Sequence, residues 1–342
     1  MDKYKNIILK QARKAKKDEF YTQLVDIEKE LKHYKNQFRG KIIYCNCDNP
    51  YESNFFKYFA TNFNALGIKK LITTNYIGLQ DTEAHRIEIN KVPDFNKDGA
   101  INLKDIEQLL KHKANVCTLL KGNGDFRSEE CIELLKQADI VCTNPPFSLF
   151  REYIQQLMEY KKKFLIIGNI NAISYKGIFS LIRDNKIWLG ASIHGGNREF
   201  RVPDDYPLIN AAEYRIDKDG NKYIRVKSVR WFTNLDYERV YENLVLYKKY
   251  TPEEFPKYDN YNAIEVSKTS NIPMDYDGVM GVPITFIDKY NPEQFEILGI
   301  SNVRGEREHL MNGVKCESDC TYINGIPQFV RIFIKNKKVT HS

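Results

Sequence analysis

Apolar positions along the chain alternate between two periods. Leu24, Ile27, Leu31 and Tyr34 recur at helical spacing, whereas Lys41 to Pro50 opens with a continuous apolar run that reads as a buried strand ending in a polar turn. A second helix follows, capped by Ser53 and burying Phe55, Phe56, Phe59, Phe63 and Leu66. Lys69 to Tyr76 then predicts a second strand, built on Leu71, Ile72 and Thr73. Strand, helix, strand is how a parallel doubly wound α/β sheet begins. Further strands are predicted over 114–120, 139–142, 163–169 and 186–191, with helices over 128–137 and 148–162. Arg225 to Phe232 and Tyr241 to Tyr250 predict a late antiparallel pair.

Beyond about residue 251 the pattern changes to short strands separated by Pro/Gly turns: Val282 to Ile287, Phe295 to Ile300 and Phe329 to Ile334. The expected organisation is one domain over 1–250, carrying an insertion at about 90–112, and a smaller lobe over 251–342.

Composition changes this picture only modestly. Hydrophobic residues at 42% support a sizeable core. No apolar run reaches the roughly 18 residues of a membrane span, and the N-terminal segment lacks a signal-peptide core, so no membrane partner and a cytoplasmic protein are expected. Seven scattered cysteines fit reduced, intracellular usage, and neither Cys45 with Cys47 nor Cys316 with Cys320 has the second ligand pair of a zinc site. A net charge of +7 with 22 Tyr and 19 Phe suits a nucleic-acid partner without deciding for one. Lys3, Lys5, Lys10, Arg13, Lys14, Lys16 and Lys17 read as a solvated helix face in preference to a phosphate-contacting arm.

The insertion has its own signature. Asp94, Asn96, Asp98, Asn102 and Asp105 stand at positions 1, 3, 5, 9 and 12 of a loop, with Gly99 at position 6 and Ala100 at the backbone-carbonyl position. This fits a structural calcium site of the EF-hand type, in the dockerin variant that ends in Asp; an Asx-rich turn without metal is the alternative.

The most chemically informative stretch is Asp139 to Phe147, where a buried-type strand is stopped by two prolines. Asn144 should therefore project from the carboxyl end of a strand, where open α/β sheets place their active sites. An amino group conjugated with a ring attacks an electrophile only if acceptors hold its N–H groups and favour pyramidal geometry. The Asn144 side-chain oxygen and the Pro145 carbonyl are two adjacent acceptors, Pro146 follows them, and Phe147 offers a flat face for a planar base. The polar turns at Asp48, Asp125 and Asn144 are expected at the ends of three consecutive parallel strands, sharing one cleft.

Asp18-Glu-Phe-Tyr-Thr-Gln23, Cys45-Asn-Cys-Asp-Asn-Pro50, Gly124-Asp-Phe-Arg-Ser128, Asn144-Pro-Pro-Phe-Ser148 and Arg230-Trp-Phe-Thr-Asn-Leu-Asp236 together resemble the EcoRI-type adenine-specific DNA methyltransferases. The resemblance implies a Rossmann-like methyltransferase sheet, S-adenosylmethionine as cofactor, double-stranded DNA as partner and a C-terminal target-recognition lobe. It leaves open a restriction endonuclease partner. By the same resemblance Asp48, with Cys45, Asn46, Cys47 and Pro50, holds the methionine ammonium; Phe20, Tyr21 and Thr22 close over the methionine end; Asp125 and Phe126 contact the adenine moiety. Asn144, Pro145, Pro146 and Phe147 take a flipped-out adenine, with Asn144 also beside the cofactor. Two departures stand out: Cys45 and Cys47 replace the usual glycine-rich turn, and Thr74, Asn75 and Tyr76 stand where an acid commonly binds the ribose. Late-region arginines and a lysine (Arg225, Lys227, Arg230, Arg304, Arg307 and Arg331) are candidate DNA contacts. Cytosine N4, an RNA adenine or a protein glutamine would suit the same tetrapeptide, and a non-catalytic DNA- or calcium-binding module is the rival from another class.

Overall fold

The computed structural model describes residues 21–49, 51–76, 84–111, 117–202, 204, 206, 208, 213–237, 243–302 and 320–339. The chain divides into two compact units, Met1–Ile170 with Gly190–Glu238, and Asn171–Leu189 with Arg239–Ser342.

In the first unit β1 (Tyr21–Thr22) precedes α1 (Leu24–Leu31), whose Ile27 and Leu31 are buried as the helical spacing predicts. Next come β2 (Ile42–Cys45), α2 (Asn54–Thr61), α3 (Phe63–Leu66) and β3 (Lys70–Thr74). Ser53 caps α2, its hydroxyl accepting from the amides of Phe55 and Phe56 at 3.1 and 3.3 Å. Then follow β4 (His85–Ile89), α4 (Leu103–Lys111), β5 (Cys117–Leu119), α5 (Glu129–Gln137), β6 (Ile140–Thr143), α6 (Phe150–Glu159) and β7 (Lys163–Asn169).

Within this unit the central sheet runs β5-β4-β3-β2-β6-β7 and continues into an antiparallel strand described below. Its middle, β3-β2-β6-β7, is parallel, with Ile43 opposite Ile140 and Val141 opposite Phe164. All four residues of β6 are buried, which is why this strand reads as an unbroken apolar run. The sequence reading missed β4. It lies antiparallel between β3 and β5, so Asp125 follows a strand two places removed from β3 instead of a neighbour. Its alternation of half-buried and buried residues over only five positions is a weak signal beside the long polar stretch that follows.

The strand expected over 186–191 is confined to β8 (Trp188–Leu189). The predicted run Arg225 to Phe232 is two strands in two sheets. After β9 (Asn197–Val202) and β10 (Tyr214–Ile216), β11 (Lys222–Lys227) joins a small antiparallel sheet of order β1-β9-β11-β10, while β12 (Val229–Thr233) pairs antiparallel with β7. Ser228, at φ 60°, makes the break between them. Residues 243–250 do not form the predicted partner strand; Lys248 makes a single bridge to Pro273.

A buried carboxylate ties α1 to the chain entering this unit's second part. Glu30, fully buried, accepts from the amides of Ala191 and Ser192 at 2.8 and 2.7 Å and from the Tyr34 hydroxyl at 2.7 Å. Gly190 permits the approach, since a Cβ there would overlap Glu30 Oε1.

The second unit contains α7 (Lys176–Arg183), β13 (Ile264–Glu265), β14 (Met280–Pro283), β15 (Phe295–Ile300), β16 (Tyr322–Ile323), β17 (Ile326–Pro327) and β18 (Arg331–Asn336). The expected strand at Val282 to Ile287 is shorter, because a 3-10 turn takes over at Ile284. The order is β13-β14-β18-β15, with a buried Glu265–Arg331 ion pair of 2.6 Å to which the Tyr258 hydroxyl adds a donor. No helix among the described residues is long and apolar enough to cross a membrane.

Removing Glu30 leaves the part-buried amides of Ala191 and Ser192 without this acceptor. Glu30→Ala is therefore expected to lower unfolding free energy by about 3 kcal/mol, read as an earlier urea midpoint at unchanged slope; a midpoint within error of the parent protein would contradict it.

Candidate active site

The carboxyl ends of β2, β3 and β6 meet at one buried carboxylate. Asp48, three residues past Cys45 at the end of β2, is 5% exposed. Its Oδ1 accepts from the Ser53 hydroxyl at 2.5 Å and its Oδ2 from the Thr143 hydroxyl at 2.5 Å. Ser53 is the cap of α2 and Thr143 the last residue of β6, so three elements converge on one side chain. Burial pushes the Asp48 carboxyl up from an ordinary 3.8 to about 6, and the two hydroxyls pull it partly back.

A turn without glycine needs other supports, and β3 provides them. The Thr73 hydroxyl donates to the carbonyls of Cys45 and Asp48 at 3.1 and 2.7 Å, the Thr74 hydroxyl to the Asn46 carbonyl at 3.4 Å, and the Asp48 amide to the Thr74 carbonyl at 3.1 Å. Cys45 is buried on β2 with its thiol pushed up by burial, then by the Asp48 charge, and Cys142 on β6 likewise. Both thiols stay protonated and act as packing groups. Cys47 is half-buried in the turn.

Asn46 lies beside Asp48 and is 1% exposed. Its Oδ1 accepts from the Tyr153 hydroxyl of α6, while its Nδ2 is buried with no hydrogen-bond partner among the described residues. The same holds for Thr22 Oγ1. Thr22 is joined to this region because Asn54, at the start of α2, donates to its carbonyl at 2.7 Å. Two orphaned polar atoms and a buried carboxylate, one a donor, one a hydroxyl and one an anion, fit a ligand that carries both an ammonium and a carboxylate. Tyr21 is half-buried opposite Arg201 of β9. Phe20 and Pro50 lie outside the described residues, as do residues 1–19, Cys316, Arg304 and Arg307.

Asp125 follows a loop that packs against Asn75 and Tyr76, just past the end of β3. Gly124 makes the approach possible: its φ is +74°, and a Cβ there would overlap the Asn75 carbonyl. The next residue after Asp125 closes the circuit, because the Phe126 ring meets Tyr153 edge-on at 5.0 Å. The Asp125 carboxylate accepts from Arg127 three times, from its amide, Nε and Nη2, at 2.9, 2.8 and 2.6 Å. Arg127 also lies over the Phe126 ring at 5.3 Å.

Asn144 follows Thr143 directly and is half-buried, Pro145 is buried, and Pro146 leads into a 3-10 turn over Phe147–Leu149. The Phe147 ring is held edge-on by Phe200 of β9 at 6.4 Å, and Phe200 is the strand partner of Thr22. The small sheet thus connects the residues expected at the two ends of the site, Thr22 and Phe147. From sequence Ser53 reads as a helix cap, Thr73 as a strand residue and Thr74 as a replacement for the ribose acid, and Thr143 and Tyr153 are not singled out; the hydroxyl residues at three element ends are the visible signal.

Other expectations fare differently. The calcium reading is not supported: among the described residues no cluster of three or more His, Cys, Asp or Glu could hold a metal. The loop oxygens serve the loop itself. Asp94 accepts from the Gly99 amide, Asn96 from Asp98, Asp98 from Ala100, Asn102 from Lys104, and Asp105 from Phe95 and Asn102. Backbone amides, that of Asn102 first, hold the Asp105 carboxyl below its usual range. Arg230 and Arg331 are buried, at 3% and 7% exposure, and are not available to DNA. Arg225 is exposed and pairs with Glu213 at 3.3 Å, and Lys227 is exposed.

Comparison with known proteins gives the family of the chain. A family model described as adenine-specific methyltransferase EcoRI matches residues 8–337. The Type II methyltransferase M.EcoRI of Escherichia coli is 48% identical over 340 residues, 98% of each chain. The Type II methyltransferase M.MgeORF184P of Mycoplasma genitalium is 38% identical over 335 residues, covering 96% of this chain and 98% of that one. M.MpnI of Mycoplasma pneumoniae, also a Type II methyltransferase, is 36% identical over 334 residues, 96% of this chain and 97% of that one. Because these matches run through nearly the whole length and not through the Asn-Pro-Pro-Phe half alone, the chain as a whole belongs to the EcoRI-type family of adenine-specific methyltransferases.

Proposed function

We propose that this enzyme methylates the exocyclic N6 of adenine at a specific site in double-stranded DNA, in the cytoplasm, using S-adenosylmethionine, and that the ends of β2 and β6 form its active site. The observation that carries the reading is the 2.5 Å hydrogen bond from Thr143 to Asp48, which sets the Asn144 strand end against a buried acceptor carboxylate. When bound, the cofactor supplies a sulfonium methyl, an electrophile that needs no covalent enzyme intermediate.

The chain's own residues then have separable tasks. Asp48 receives the methionine ammonium, with Asn46 Nδ2 and Thr22 Oγ1 as the remaining polar partners of the amino-acid end. Asp125 and Phe126 take the adenosine end. Asn144 and the Pro145 carbonyl accept from the target amine and turn its lone pair toward the methyl group, while Phe147 stacks on the base. Adenine N6 in a duplex is paired, so the base is extruded into this pocket at a cost of a few kcal/mol. The described residues 251–302 and 320–339 are assigned to target recognition.

Transfer of radiolabel from S-adenosylmethionine to unmethylated plasmid DNA, with nucleosides identified by mass spectrometry, tests the whole reading. N6-methyladenine is expected from the parent protein; label in RNA or protein with none in DNA would refute the DNA assignment. Asn144→Ala is expected to lower turnover by about 100-fold or more, with cofactor affinity nearly intact. Asp48→Ala, which removes a charged acceptor, should instead weaken cofactor binding by roughly 10- to 100-fold; normal turnover in Asn144→Ala would refute the catalytic assignment.

Asp48 also sets a pH dependence. Its carboxyl titrates at about 6 in the free protein. Between its ordinary value and that point the folded state holds a proton the unfolded state lacks, so this group's contribution to stability grows as pH falls through the window. Ammonium binding requires the ionised form and follows the opposite sign. Calorimetric cofactor affinity should be flat at neutral pH and fall toward about tenfold per unit below the break, whereas Asp48→Asn should show no break. DNA affinity should fall with a log–log salt slope of about 0.9 per neutralised phosphate; a flat response would count against a duplex footprint.

A further inference from the structure

We infer that Thr143 is a positioning residue that couples the ionisation state of Asp48 to the placement of Asn144 and the Pro145 carbonyl. The inference rests on the reading of Asp48 and Asn144 given above. Thr143 is fully buried at the end of β6, its backbone paired opposite Ile166 of β7. Its hydroxyl donates to Asp48 Oδ2 at 2.5 Å, and the neighbouring residue is Asn144. Between that hydroxyl and the two proposed acceptors the chain has little slack. Pro145 and Pro146 each fix their own φ and restrict the residue before them, so movement at Thr143 is passed on with few soft torsions to absorb it.

The surroundings of Asp48 make its state depend on these hydroxyls. The titratable groups facing it are the thiols of Cys45 on β2 and Cys142 on β6 and the phenol of Tyr153 on α6. Cys47 is the other titratable group of the turn, and β3 and α2 contribute only the hydroxyls of Thr73, Thr74 and Ser53. None carries positive charge, so in the free protein the carboxylate is stabilised by the Ser53 and Thr143 protons. Ionised Asp48 accepts from both. A protonated Asp48 becomes a donor at one oxygen, so the hydroxyl facing that oxygen turns and accepts, and both contacts lose their charge-assisted strength, which leaves Thr143 less firmly held. Occupation of Asp48 by an ammonium favours the ionised form, and with it the arrangement in which Thr143 is held and both acceptors are set.

Thr143→Val removes the donor at similar volume and Thr143→Ser keeps it. In Thr143→Val the pH break in cofactor affinity, measured by calorimetry, should move up by about one unit. The single-turnover rate on unmethylated plasmid DNA, at saturating cofactor and about pH 8, should drop by about tenfold or more. Thr143→Ser should restore both. If Thr143→Val melts below the assay temperature, Thr143→Ala takes its place. A Val or Ala variant that loses only affinity and keeps its rate at saturation would overturn the inference, as would a Ser variant no better than Val. Failure of the underlying site reading is distinguishable, because it would show as normal turnover in Asn144→Ala.

Discussion

A carboxylate out of water is stable only where donors are fixed around it, and Asp48 meets that condition with two neutral hydroxyls and, among the described residues, no cation. Ser53 belongs to the cap of α2, Thr143 to the end of β6, and the turn that carries Asp48 hangs from Thr73 and Thr74 of β3. Each of these residues is also a terminus or a pairing residue of its own element. The fold cannot place Asp48 without placing the strand end that bears Asn144. Desolvation, the largest influence on the Asp48 carboxyl, is the cost of that arrangement.

The absence of glycines from the Asp48 turn follows from the same supports. Glycine usually serves in such turns by letting the backbone come close to a ligand or adopt positive φ. Here the turn is shaped from outside, by hydroxyls reaching across from the adjacent parallel strand, and Cys45 and Cys47 add volume without charge at that position. Glycine is required elsewhere. Gly124 lets the Asp125 loop pass over Asn75, and that detour compensates for the antiparallel β4 that separates β5 from the parallel core.

The small antiparallel sheet has a comparable role at the other side of the site. Thr22 and Phe200 are opposite one another in it, Phe200 braces Phe147, and Asn54 of α2 holds the Thr22 carbonyl. A segment near the start of the described chain and the Phe147 ring more than a hundred residues later are thus fixed by one pair of strands. Ser228 allows the chain to leave that sheet and enter the central one within a single residue.

Much of this was determined by sequence alone. The unbroken apolar strands, the Ser53 cap, the Asn-Pro-Pro-Phe stop after β6 and the family resemblance are all local in character, because periodicity, capping and proline geometry act over a few residues. Arg230 and Arg331 could not be sorted from Arg225 in that way, since an arginine's burial depends on partners such as Glu265, 66 residues away. The loop from Asp94 to Asp105 carries a spacing that suits calcium, yet its oxygens bond to the loop's own amides, and spacing does not encode which donors arrive. Only the tertiary structure decided that Ser53, Thr143 and Asp48 form one cluster, because contacts across 5 and 95 residues are made by strand order and close packing, not by neighbouring positions in the chain.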